Sequence, residues 1–329
     1  MTAMRYLRFV VRATMLLLAL GFMGWLLYGR WDELRRYPWR LQPLWLLPAV
    51  SLVLVSWLLE VAVWRRLLAS LGGLIGYGVG FRIWFVSAVL RYIPGNIWQP
   101  LGMTVLCRQQ GIRPEMTVAG VALYQAINVL AAALLAALYF PLTGNLGLLA
   151  SWLPPAAARW MGVLVVPVVV LGWRPRWFVG LLNYGLRRMR RPPLPARLDV
   201  STLGWALAVE LAAWMALGLG FATLTLALAG GLQSGLGRQL VHLVAGYPVA
   251  YVVGFLSFVT PSGLAVREAT VYVLAAPVVG GGLITVAALA MRILLMVGEA
   301  VVAGWALLTW PGLLPYPTTL WSGAGQDDG

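Results

Sequence analysis

Residues 77–107 read YGVGFRIWFVSAVLRYIPGNIWQPLGMTVLC, an apolar stretch split in its middle by Pro94-Gly95-Asn96. Proline inside a helix removes a hydrogen bond and clashes with the preceding turn, and glycine adds backbone freedom. Each arm has about 15 to 20 residues, which at about 1.5 Å per residue reaches the middle of a bilayer or somewhat beyond. Two such arms joined at a break suit a re-entrant hairpin, a form tolerated only where protein or water surrounds the exposed backbone. A second stretch, 239–277, repeats the pattern with its break at Thr260-Pro261-Ser262-Gly263.

Unbroken apolar runs surround the two hairpins. Spans are expected at 11–28, 43–64, 116–140, 156–173, 203–229 and 283–309, each reaching the roughly 18 residues that mark a bilayer crossing. The 329-residue chain is 61% hydrophobic and 10% charged, with a mean hydropathy of +0.84. A soluble domain has about a quarter of its residues charged. This composition excludes a soluble enzyme, a secreted disulfide scaffold and a disordered chain. The single cysteine, Cys107, excludes an intrachain disulfide. No CxxC, HExxH or P-loop occurs, so no metal, nucleotide or other cofactor is expected. Arg5, Arg8 and Arg12 precede the first apolar run as in a signal peptide, but no small-residue cleavage site follows, so a retained first helix is expected.

All 24 basic residues are arginine, against 10 acids, for a net charge of +14. In a membrane chain such charge reads as cytoplasmic loops touching anionic headgroups rather than as a nucleic-acid surface. If both broken stretches return to their own side and the N-terminus is cytoplasmic, fifteen arginines fall inside, seven of them in the 174–197 loop. Six fall outside, and Arg91, Arg267 and Arg292 lie at membrane depth. The C-terminus is then also cytoplasmic, and an inner-membrane location is expected.

That topology exposes a pattern. Residues 43–141 form a first repeat (span, hairpin 77–107, span), and residues 203–310 form a second (span, hairpin 239–277, span) entering from the other face. An N-terminal helix and outer loop (1–42), a linker helix with a basic loop (142–202) and a tail (311–329) complete the chain. The expected fold is an all-α polytopic transmembrane bundle with two re-entrant helical hairpins in an inverted repeat, a transporter design whose binding site lies at the interruptions.

The interruptions carry the candidate chemistry. Asn96 is a good N-cap, and Gln99 three residues later completes a capping box. Thr260 is the N-cap candidate of the other break, with Pro261 at the favoured first helical position and Ser262 and Gly263 after it. Helix N-termini at the midplane present unpaired N–H groups and partial positive charge, which suits an anion. Arg91, Arg267 and Arg292 bring full charges to the same depth, so a phosphate is the natural guest. The alternative at each break is a structural kink with no ligand.

The buried acids Glu60, Glu210, Glu268 and Glu299 are functional candidates by cost, about 2.5–3.5 kcal/mol each on insertion scales. They serve either as partners that neutralise the arginines and fix packing or as titrating groups that couple proton movement to substrate. Arg292 and Glu299, seven apart, share one face of the last span, whereas adjacent Arg267 and Glu268 point different ways and need other partners. His242 reads as a packing residue, and Gln125 and Asn128 as polar glue between helices.

With Arg91-Tyr92-Ile93-Pro94-Gly95 and Pro261-Ser262-Gly263-Leu264-Ala265-Val266-Arg267-Glu268 in view, the chain resembles the lysylphosphatidylglycerol synthase transmembrane family, also called flippase-like domain proteins. Ser262 and Ala265 stand where that family often has glycines. The resemblance implies movement of a lipid or lipid-linked headgroup between leaflets. Full-length synthases add a cytosolic aminoacyl-transfer domain; about twenty residues follow the last span, so that activity is not expected.

The expected function is a flippase- or scramblase-like transporter of an anionic phospholipid or polyprenyl-phosphate-linked lipid, not an enzyme. The expected site comprises Arg91, Pro94, Gly95, Asn96, Gln99, Thr260, Ser262, Gly263, Arg267, Glu268, Arg292 and Glu299, with no catalytic residue. Partners are membrane lipids with phosphate headgroups. Two rivals remain: a membrane glycosyltransferase using a lipid-phosphate sugar donor, suggested by Asp32-Glu33 after the first span, and a non-catalytic partner of a lipid-modifying enzyme.

Overall fold

The computed structural model describes residues 28, 31, 35, 40–92, 97–145, 147, 175–188, 190–194, 198–230, 236–256 and 266–309. The expected span 156–173, the span 11–28 apart from Tyr28, and the tail 311–329 lie outside them. So do both breaks, with Pro94, Gly95, Asn96, Thr260, Ser262 and Gly263, and Asp32-Glu33. All described elements are helical.

Four helices are long and apolar enough to cross a membrane. They are α1 (Leu46–Ser70, entered through a 3-10 turn at Pro43–Trp45), α4 (Pro114–Thr143), α6 (Val200–Ala229) and α9 (Gly281–Thr309). The sequence dictates their ends. Pro114 occupies the first turn of α4, where no N–H partner is lost. Asp199 caps α6 by accepting from the Thr202 N–H at 2.8 Å. Gly230, at φ 82, closes α6 in the left-handed conformation. Helix α1 runs to Ser70, six residues past the expected span, and there the Arg66 guanidinium lies over the Trp205 ring at 4.4 Å.

One end of the bundle is basic. There α1 ends, α4 and α6 begin, and Arg113 donates to the Pro192 carbonyl at 2.9 Å. Arg191 meets Glu115 at 3.2 Å beside the short helix α5 (Pro175–Arg188). Helix α9 ends here too, since Arg82 stands 5.5 Å from the Trp305 ring. At the opposite end the Gln42 N–H donates to Ala227 at 2.8 Å.

The four remaining helices form two packed pairs. Helices α2 (Tyr77–Ala88, extended by a 3-10 turn Val89–Tyr92) and α3 (Trp98–Gln109) pack together between α1 and α4 in the chain. Helices α7 (Leu236–Leu256) and α8 (Val266–Val279) pack together between α6 and α9 in the chain. At 12 residues, α2 and α3 are each about 18 Å long, too short for a crossing of about 30 Å. Helix α7 has 21 residues and is the longest of the four arms, starting three residues before the expected boundary.

Helices α1 and α6 form the most extensive contact, and α7 crosses α6 and α4. Gly218 makes the α6–α7 crossing possible: a Cβ there would run into the Val244 carbonyl, the close approach that small residues allow in membranes. Along α9, Val297, Val301, Trp305 and Leu308 repeat every three to four residues and stay 50–85% exposed, the signature of a face turned to lipid.

Candidate functional site

Helix geometry places the charges of the bundle interior, buried or half-buried, in two layers. Glu60 lies ten residues before the end of α1, Glu210 ten residues after the start of α6, and Glu299 ten residues before the end of α9. Each therefore sits about 15 Å from the basic end. Arg292, seven residues earlier on α9, lies about 10 Å further in, in register with Arg267 and Glu268 on α8.

In the first layer, the Arg91 guanidinium reaches from the tip of the α2–α3 pair to Glu299 at 3.0 Å. The Glu299 side chain is only 6% exposed. Glu60 stands within electrostatic reach of Arg91, Glu299 and Tyr124. Glu210 faces Glu60 and Tyr124. In the second layer, Arg292 meets Glu268 at 3.7 Å. Arg292 and Glu299 thus share one face of α9 but each clasps a different helix pair, an arrangement across up to 208 positions that no local spacing encodes.

Arg267 behaves differently. Its guanidinium lies over the Tyr251 ring at 4.4 Å, where the face of the π system attracts a cation. Its stem runs against Gly254, where a Cβ would stand 2.6 Å from the arginine Cγ. Glycine is required there for side-chain room. Among the described residues no carboxylate comes within ion-pairing distance of Arg267, and its Nε has no hydrogen-bond partner.

Tyr251 joins the layers. Its hydroxyl accepts from Gln125 at 2.8 Å and from Asn128 at 3.3 Å, and its ring packs on Trp214 at 4.6 Å. Trp214 in turn donates to the Asn128 side-chain oxygen at 2.9 Å, so three helices share one polar knot. Both Arg91 and Arg267 act electrostatically on Tyr251, Arg267 the more strongly. His242 bonds to the Tyr139 hydroxyl through Nδ1 at 2.8 Å, tying α7 to α4 away from the arginines.

Of the expected site, Arg91 pairs with Glu299 and Arg292 with Glu268, while Arg267 lies over the Tyr251 ring. Gln99 sits half-buried in the first turn of α3. Asn96 of the expected capping box lies outside the described residues; α3 is described from Trp98, with Ile97 at its cap in helical conformation and no side-chain cap bond. The expected list lacked Tyr124, Tyr251, Glu60 and Glu210. A tyrosine in the middle of an apolar helix, far from any interface, is the signal that could have found the first two.

The family model for the lysylphosphatidylglycerol synthase TM region matches residues 12–303. No curated protein matches the chain.

Proposed function

This chain belongs to the lysylphosphatidylglycerol synthase TM-region family and is an integral membrane protein; from that premise we propose that it moves an anionic lipid between leaflets. The two helix pairs are re-entrant hairpins of an inverted repeat, and the basic end with both termini faces the cytoplasm across an inner membrane. The cargo is a phospholipid or polyprenyl-phosphate-linked lipid whose headgroup enters the polar space between the tips while its chains stay in the bilayer. The protein is a transporter and catalyses no bond change.

One observation carries this reading. Arg91 and Arg292 each have a carboxylate, whereas Arg267, half-buried over Tyr251, has none among the described residues. A cation at membrane depth without a counter-charge is costly, and a phosphate supplies that charge with bidentate geometry. An arriving phosphate would engage Arg267 first, then compete with Glu268 for Arg292 across their long 3.7 Å contact. Arg91, more tightly held by Glu299, would release its carboxylate last.

Leaflet exchange of a fluorescent anionic phospholipid in proteoliposomes tests this. Arg267→Ala should reduce exchange at least tenfold, and Arg267→Lys should recover only part, because lysine lacks the planar fork. Unchanged exchange in Arg267→Ala would refute the assignment.

A further inference from the structure

The mechanism above leaves Glu60 and Glu210 unused. They lie on the two helices with the largest mutual contact, antiparallel and at equal depth. Glu210 is 1% exposed, and its Oε2 has no hydrogen-bond partner. Ser56, one turn from Glu60 on the same face, is fully buried, and its hydroxyl lies close enough to act on the Glu60 carboxyl.

The charged and titratable groups facing the pair come from every helix around it. Arg91 and Glu299 reach Glu60 from the α2–α3 tip and α9. Tyr124 reaches both acids from α4, and Tyr251 reaches Glu60 from α7. The charge acting on Glu210 is that of Glu60. The basic partner in this layer, Arg91, is already engaged by Glu299 at 3.0 Å. Three carboxyls therefore face one guanidinium, and two like charges without a cation between them do not both persist in a low-dielectric interior.

We propose that Glu60 and Glu210 form a proton-binding site: one proton is held on the pair, as the O–H of one carboxyl within the field of the other's carboxylate, with the Ser56 hydroxyl beside Glu60. Counting both layers, four carboxyls face three arginines, so one bound proton makes the set neutral. A monoanionic headgroup arriving at Arg267 upsets that balance by one charge, and a second proton, taken from water by the remaining carboxylate of the pair, restores it. Proton and headgroup then cross together as a neutral unit, and each dissociates on the far side. This coupling rests on the proposed lipid transport; the proton site does not.

Infrared spectroscopy of the purified protein in detergent, with no lipid transport involved, tests the site. The carbonyl stretch of a protonated carboxylic acid should be present at neutral pH, insensitive to Na⁺, and lost in Glu210→Gln and Glu60→Gln variants that elute and melt like the wild type. Its absence from the wild type, or its persistence unchanged in both variants, overturns the proposal, as does a band that responds to Na⁺. The coupling is read in proteoliposomes with an internal pH dye. An imposed lipid gradient should drive proton uptake in the wild type, falling at least fivefold in Glu210→Gln. Lipid exchange with no proton flux in the wild type overturns the coupling, whereas a carboxyl band without any lipid exchange keeps the site and rejects the transport reading.

Discussion

The Arg91–Glu299 contact permits a quantitative prediction. Charge centres about 4 Å apart attract by about 4 kcal/mol at an effective dielectric near 20. The Arg91 side chain is 31% exposed, so screening reduces this to about 2 kcal/mol. Glu299→Gln keeps the shape and removes the charge, leaving a guanidinium that still acts on Glu60. That second carboxyl softens the loss, which for a fully buried pair would be about 3–5 kcal/mol. A cycle of Arg91→Gln, Glu299→Gln and the double variant, followed by reversible unfolding in mixed micelles, should therefore give a coupling energy of about 1–2 kcal/mol. Single variants should also loosen the α2–α3 pair, seen as faster hydrogen exchange there than in α1 or α6. Additive losses, with coupling below about 0.5 kcal/mol, would refute the claim that this contact fastens the first helix pair to α9.

Further expectations follow from other contacts. Gly218→Leu should destabilise the protein by about 2 kcal/mol or prevent its folding, because the side chain must displace the Val244 carbonyl; a thermal melt checks this. Gly254→Val should push Arg267 off Tyr251 and abolish lipid exchange while leaving the melting temperature within a few degrees of wild type, measured on the same sample. Tyr251→Phe removes a hydroxyl that accepts two hydrogen bonds, at about 0.6 kcal/mol each in membranes, so unfolding free energy should fall by about 1 kcal/mol. Asp199 is held below the usual carboxylate range by hydrogen bonds from Thr202 and Ser201. Its capping contribution is thus fully present above the unfolded value near 4 and is lost as pH falls through the lowered folded value. The protection of amides in the first turn of α6, relative to their intrinsic exchange rate at each pH, should fall in that acid window in the wild type and stay constant there in Asp199→Asn.

How far the sequence discloses this architecture depends on the range of each interaction. The long helices are local in origin: apolar runs, Pro114, Asp199 and Gly230 mark them, and 116–140 and 203–229 fall inside α4 and α6. The two helix pairs are also legible, since proline and glycine interrupt both apolar stretches. Helix extents were less so, because Arg65 and Arg66 look like a terminus yet α1 continues to Ser70. Which partner each charge meets was not legible. Adjacent Arg267 and Glu268 were expected to diverge, and they do, but that one meets a tyrosine ring and the other Arg292 is decided by how α7, α8 and α9 cross. Glu60 and Glu210, 150 positions apart, gain their shared environment only when α1 packs along α6.

The most direct test of the central claim, that the tips of the two helix pairs form one anion site within the membrane, is an experimental density map of the protein in anionic nanodiscs. The account predicts a headgroup phosphate within hydrogen-bond distance of the Arg267 guanidinium, on the side facing Arg91. An Arg267 enclosed by acyl chains or apolar side chains, with the phosphates confined to the bilayer surface, would contradict it.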